Sequence, residues 1–425
     1  MGNFMKLFKH IRADGIVDTL RLTKNVLISK MYFKMEKVID ILPLQNTIVF
    51  ECESDMDDNP RAVYEYMISR KMNYKYKLVW IVRNPEYCKT EYKKFNVAFV
   101  SRFDLSRKEQ LKLRYYLYTA KWFVFSHPYW FKKKREEQLV IFTNHGNPMK
   151  KGTCGDIAVR YVDAMLSTTE DVKDLTSKEW NCPLDKMFIC GYPRNDLLWK
   201  ANKTKILPEL FCWEANQKVI MCMPTYKKSA AQTDSEEKLD RFSLSVIQSE
   251  EQFNELDRYL REHNTHLLVK LHPLQVIDEL NLHGSANIHY IRNCDLLQKK
   301  ILLYELLGCC DGLITDFSSV HYDFLILDRP VAFMLKNFND YTRGFVMDNP
   351  LDYMPGNKIY NYEEFLRFID DVVCGVDAYK DERKRVNGMM NGNSVECNSE
   401  RFVKMMLSGE IENILKKNKG EICDS

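Results

Sequence analysis

The stretch GLITDFSSVHYDF, Gly312 to Phe324, decides how the chain reads. Its apolar run, Gly312-Leu313-Ile314-Thr315, stops at Asp316. Two adjacent serines follow, and then apolar residues spaced as on a helix. Strand, polar turn and helix in immediate succession are the repeating unit of an open α/β sheet. A pair of serines at such a junction can hold a phosphate. Backbone N–H groups point outward at a helix start, the helix dipole favours an anion, and the hydroxyls add donors. The same pair also reads as an ordinary N-cap, with Ser318 or Ser319 closing the helix and binding nothing.

Working outward, the rhythm repeats. Segments 218–225, 266–273 and 329–335 are further apolar runs, and 250–263 and 295–310 carry helical spacing between them. The stretch 400–418 predicts a C-terminal helix. Earlier, 46–51, 76–82, 96–100, 121–126 and 138–146 predict strands, and 60–71 and 106–120 predict helices. The rhythm breaks near 195–215. The pattern therefore predicts an α/β protein of two Rossmann-like domains, 46–205 and 206–425, facing across a cleft at the C-terminal ends of both sheets. Open α/β sheets bind their ligands at that edge.

Residues 1–45 stand apart as a basic amphipathic segment. Up to position 37, eight cations (Lys6, Lys9, Arg12, Arg21, Lys24, Lys30, Lys34, Lys37) oppose three acids (Asp14, Asp18, Glu36), with apolar residues between them. Such a segment reads either as one that lies on an anionic membrane surface or as a helix packed on the body of the protein. The 425 residues suffice for two full domains, and a net charge of +3 gives no argument for nucleic acid. No apolar run reaches the length of a bilayer span. Thirteen cysteines with no C-x-x-C pair, and no leader signature, read as reduced buried thiols in the cytosol.

Polar residues gather where the apolar runs end. His145 lies in Asn144-His145-Gly146-Asn147-Pro148, a loop with room for a ligand. A neutral imidazole there could take a proton from an attacking hydroxyl, or simply hydrogen-bond locally. Lys270 and His272 alternate onto one face of a strand and can both donate to a phosphate. Arg194, in a turn, reads as a phosphate clamp or as half of a surface ion pair. Thr225, Tyr226 and Lys227 follow another strand. The set fits a diphosphate, because phosphoryl transfer needs an oriented hydroxyl and a neutralised leaving phosphate. There is no P-loop, no G-x-G-x-x-G and no zinc signature. Asp55-Met56-Asp57 forms a D-x-D before a helix, where Asp58 or Asn59 serves as a cap.

Six stretches, in this order, resemble the CDP-glycerol glycerophosphotransferase family, of the teichoic acid polymerase and primase type. They are NHGNPMKKG (144–152), GYPRND (191–196), MPTYKKS (223–229), VKLHP (269–273), LITDFSSVHYDFLILDRPVAF (313–333) and YTRGFVMDNPLDYMPG (341–356). The resemblance implies a glycosyltransferase B type fold, with the acceptor held by 46–205 and the donor by 206–425. It implies transfer of a polyol phosphate, from CDP-glycerol or CDP-ribitol, to a hydroxyl of a lipid-linked or polymeric glycan, with release of CMP. The site would be the cytoplasmic face of a bacterial cell membrane.

By the same resemblance His145 is the base and His272 acts at the donor diphosphate. Arg194, Thr225, Tyr226, Lys227, Lys270, Asp316, Ser318, Ser319 and Asp323 are donor-binding positions, Asp323 toward the polyol hydroxyls. No cofactor is required by the pattern, which leaves room for Mg2+. Two departures stand out: the usual Thr-Pro-Leu is Asn147-Pro148-Met149, and the usual Trp-Arg is Tyr226-Lys227. Two other readings remain, a nucleotide-sugar glycosyltransferase of the same fold and a non-catalytic partner of membrane machinery.

Overall fold

The structure, a computed structural model, describes residues 31, 34–104, 106–127, 130–152, 160–224, 242, 244–270, 285–336, 338, 341, 344–392 and 397–420. Its first sheet contains β1 (Gln45–Glu51), β2 (Lys77–Ile81), β3 (Val97–Val100), β4 (Ala120–Phe125), β5 (Leu139–Phe142), β6 (Ala164–Ser167) and β7 (Met187–Ile189), in the order β3-β2-β1-β4-β5-β6-β7. The second contains β8 (Lys218–Met223), β9 (Thr265–Lys270), β10 (Ile288–Ile291), β11 (Gly312–Thr315), β12 (Val331–Met334) and β13 (Asn357–Ile359), in the order β10-β9-β8-β11-β12-β13. Counted within itself, each sheet begins 3-2-1-4-5-6, the doubly wound Rossmann order. In the second sheet Ile314 lies opposite both Cys222 and Ala332, in parallel register. The two Rossmann-like sheets expected from the pattern are present.

Burial explains why these runs are strands. In β8, Val219 and Met221 pack with Leu268, Leu313 and Phe333 on one face. Ile220 and Cys222 pack with Leu267, Val269, Ile314 and Ala332 on the other. Both faces are covered, as a parallel sheet requires, so the strands read as unbroken apolar runs without alternation.

The chain divides into two compact units. One comprises Met1–Met56, Met67–Val124 and Phe131–Ile141, and the other Asp57–Tyr66, Phe125–Trp130 and Phe142–Ser425. In the first unit, residues 34–41 are helical. Asp40 there accepts hydrogen bonds from Arg114 Nη2 at 2.7 Å and Nε at 3.1 Å, and Ile39 is buried. Met31, Met35, Val38 and Ile41 are exposed, at the spacing of a single helix face.

The second unit holds the loops that leave the C-terminal ends of β4, β5 and β11, and the segment Asp57–Tyr66. Two helices expected there are broken. The helix expected over 295–310 is two short ones, Asn293–Gln298 and Leu303–Leu307. Between them Lys300 has a φ of 56°, which a right-handed helix cannot contain. Each piece starts afresh, with Asp295 accepting from Arg292 N–H and Glu305 from Leu302 N–H. The helix expected over 400–418 breaks at Gly409, with a φ of 80°, into Asn398–Ser408 and Glu410–Asn418. These last helices pack by β7. Phe402 lies 6.2 Å from Phe188, and Asn418 Nδ2 donates to Met187 O at 3.0 Å.

Candidate active site

The loop after β5 carries His145. Asn144 turns it with a φ of 58°, and its side-chain oxygen accepts the His145 N–H at 2.8 Å. The imidazole is exposed, and its Nδ1 lies 3.3 Å from Ser126 O at the end of β4. A carbonyl oxygen can only accept, so Nδ1 carries a proton. Trp180, at the end of the helix Glu170–Trp180, meets the ring edge to face with centroids 5.6 Å apart. A neutral imidazole in this tautomer can accept a proton at Nε2.

Gly146 follows with a φ of 140°. A Cβ there would fall 2.6 Å from Ser319 Oγ and 3.1 Å from Arg194 Nη2. Both the backbone angle and the close approach demand glycine. This one position brings the histidine loop, the serine pair and Arg194 together.

The serine pair sits where expected, at the end of β11, with Ser318 and Ser319 partly exposed and Asp316 buried. Ser319 occupies the N-cap position but makes no side-chain cap bond. The helix behind it, Val320–Phe324, has five residues and passes into a 3-10 turn. So short a helix has little dipole. The anion-binding argument therefore narrows to the hydroxyls and the backbone N–H groups. His321 is fully buried, with Nδ1 2.7 Å from Ser318 O and Nε2 3.1 Å from Tyr353 O. Burial lowers its pKa to about 4, against the pull of the two carbonyls.

Arg194 is buried, with both of its terminal nitrogens on carboxylates. Nη1 donates to Asp58 at 2.7 Å and Nη2 to Asp323 at 2.7 Å. Its guanidinium lies 4.7 Å from the centre of the Tyr304 ring. Fully buried Asp323 also accepts from Tyr304 Oη at 2.5 Å and from Asn195 Nδ2 at 3.1 Å. Burial alone would disfavour the arginine's charge, but Tyr304, Asp323 and Asp58 hold it protonated well above the ordinary range. Lys270, buried at the end of β9, donates to Asn293 Oδ1 at 2.5 Å. Burial lowers its pKa, while Asp57 and Asp295 work the other way. Burial, and then the neighbouring Asp58, raise the pKa of Asp57.

Thr225, Tyr226, Lys227 and His272 lie outside the described residues. The two aspartates of the D-x-D have separate partners. Asp55 accepts the N–H groups of Arg83 and Asn84, and Asp57 that of Asp58. Among the described residues no group of three or more His, Cys, Asp or Glu side chains converges on one point.

Sequence reasoning missed two kinds of residue. Asn59, read as a cap, instead sends its amide to Thr143 O at 3.3 Å and Asn144 O at 3.0 Å. Its side-chain oxygen accepts Arg194 N–H at 3.1 Å. Tyr304 and Asp58 close the arginine knot from 110 and 136 residues away respectively (304 − 194 and 194 − 58).

Known proteins resemble this chain in sequence and in fold. A model of the family described as CDP-Glycerol:Poly(glycerophosphate) glycerophosphotransferase matches residues 34–408. The chain is 29% identical over 354 residues to a teichoic acid poly(glycerol phosphate) polymerase of Bacillus spizizenii, covering 76% of this chain and 83% of that protein. It is 25% identical to a teichoic acid glycerol-phosphate transferase of Staphylococcus aureus, covering 86% and 93%. A Staphylococcus epidermidis polymerase, 26% identical, is longer: the match spans 86% of this chain and 52% of that protein. Among solved structures, the wall teichoic acid polymerase TagF superposes with a TM-score of 0.69 at 22% identity, over 97% of this chain and 99% of that one. At that identity the likeness is one of fold.

Proposed function

We propose a reaction from one premise: the chain belongs to the CDP-glycerol:poly(glycerophosphate) glycerophosphotransferase family. The enzyme transfers a polyol phosphate, in the first place glycerol phosphate, from a CDP-activated donor to a hydroxyl of a lipid-linked or polymeric glycan. The acceptor hydroxyl gives its proton to Nε2 of His145. Its oxygen bonds to the phosphorus that bears the polyol, the bond from that phosphorus to the bridging oxygen breaks, and CMP departs in line. Lys270 and the donors of Ser318 and Ser319 offset charge on the leaving phosphate. His272, Thr225, Tyr226 and Lys227 keep the donor-side roles that family membership suggests.

One observation carries this reading. Gly146, next to the candidate base, is pressed against Ser319 Oγ and Arg194, so base and phosphate donors share one small region. Arg194 itself, taken up by two carboxylates, orders that region more than it neutralises a ligand. The exposed Met31, Met35, Val38 and Ile41 stripe, flanked by exposed Lys34 and Lys37, supports residence on an anionic membrane surface at the cytoplasmic face.

The test is CMP release by purified protein given CDP-glycerol or CDP-ribitol, each with a membrane extract as acceptor. Acceptor-dependent release that vanishes in His145→Ala supports the reading and names the donor. Sugar transfer from a nucleotide sugar, with no CMP from either polyol donor, would replace it with the glycosyltransferase reading.

A further inference from the structure

Two carboxamides hold the chain on either side of His145. Asn59 and Asn147 are each buried. Asn59 grips the loop before the histidine, through Thr143 O and Asn144 O, and ties it to the Arg194 N–H. Asn147 grips the loop after it. Its amide donates to Met390 O at 2.7 Å and Asn391 Oδ1 at 3.2 Å, and Thr168 Oγ1 lies 2.9 Å from its oxygen and 2.6 Å from Met390 O, its one hydrogen serving either. Asn391 in turn donates to Tyr322 O at 2.6 Å, in the short helix that follows the serine pair. A continuous path of buried hydrogen bonds thus runs from the histidine loop through Asn147 and Asn391 to the segment of Ser318 and Ser319.

We propose that Asn59 and Asn147 are positioning residues that set His145 against the Arg194 turn and the Ser318–Ser319 segment, with Asn391 the second half of the Asn147 clasp. The inference rests on the proposed role of His145 as base. The chemistry favours asparagine at both places. Only a carboxamide offers two donors and an acceptor on one short planar group. Loss of either carboxamide takes a donor away from buried backbone carbonyls, of which Met390 O alone has a second, Thr168 Oγ1, so the clasp has few alternative geometries. A base displaced by about 1 Å can cost on the order of a hundredfold in rate.

The experiment uses the full chain and the variants Asn147→Thr, Asn391→Ala, their double combination and Asn59→Ser. The expected result is a fall in kcat of about 10- to 100-fold with the KM for CDP-glycerol within about threefold. The double variant should be no slower than the worse single variant, because both break the same clasp. Losses that multiply in the double variant, or that simply follow a lowered unfolding midpoint, overturn the proposal. Should Asn147→Thr fail to fold, Asn391→Ala carries the test, since its side chain touches no backbone of the histidine loop.

Ring NMR of His145 separates this proposal from the reaction itself. If the wild type releases no CMP, the functional reading fails. The positioning claim then stands on a changed Nδ1–H signal and titration of His145 in Asn391→Ala, and falls if both are unchanged.

Discussion

Arg194 and Lys270 look alike in the sequence, as cations at the ends of elements where a diphosphate would lie. The structure gives them opposite environments. Arg194 sits between Asp58 and Asp323, so its knot carries more negative than positive charge. Lys270 donates to the Asn293 amide oxygen, and burial weakens its hold on the proton against the pull of Asp57 and Asp295. An arginine fork suits planar, two-sided pairing, and here it has that pairing inside the protein. Arg194 is thus engaged by the protein's own carboxylates, whereas Lys270 is a buried cation whose pKa is lowered.

Substitution separates the pair most sharply. Arg194→Met leaves Asp323 fully buried with its cation gone. The expected loss is about 3–5 kcal/mol of stability, read from denaturant unfolding. Lys270→Met should unfold close to the wild-type midpoint and weaken CDP-glycerol about tenfold, with a shallower dependence on salt. Equal destabilisation by both variants would erase the distinction.

The pH dependence of donor binding sharpens it. Lys270 titrates below the usual lysine range, so it loses its charge earlier than an exposed lysine as pH rises. CDP-glycerol affinity should therefore fall on the alkaline side, and Lys270→Arg should remove that limb. An alkaline limb that survives in Lys270→Arg would assign it to another group.

The smallest expected effect lies away from the site. His266, stacked on Trp213 with centroids 3.7 Å apart, meets His289 through Nδ1 and Nε2 at 3.2 Å. Burial lowers both pKa values to about 4 from an ordinary 6.5. Between those values the unfolded chain binds more protons than the folded one, so stability falls as pH drops from 6.5 toward 4. His289→Gln should flatten that slope and leave Arg194→Met as damaging as before. An unchanged slope would place the acid sensitivity elsewhere.

Much of the fold was legible because buried parallel strands leave unbroken apolar runs, and 218–225 or 312–315 can hardly be read otherwise. The misses share a cause. Helical spacing over 295–310 does not encode the left-handed turn at Lys300, and 400–418 hid its break in one glycine. At the site, His145 and the serine pair were visible as strand-end residues. What joins them was not. Asp58, Asp323 and Tyr304 meet at Arg194 only after folding brings distant segments together, and Asn147 with Asn391 does the same across 244 residues. No periodicity records such pairings. The helix after the serine pair has only five residues and supplies little dipole for a phosphate.

The most direct measurement compares binding with turnover in His145→Ala, using calorimetry with CDP-glycerol and CMP release on the same preparation. With His145 as the base, donor affinity stays within about threefold and turnover falls by roughly 10²–10⁴. If affinity and turnover fall together by the same factor, His145 holds the donor and the base lies elsewhere.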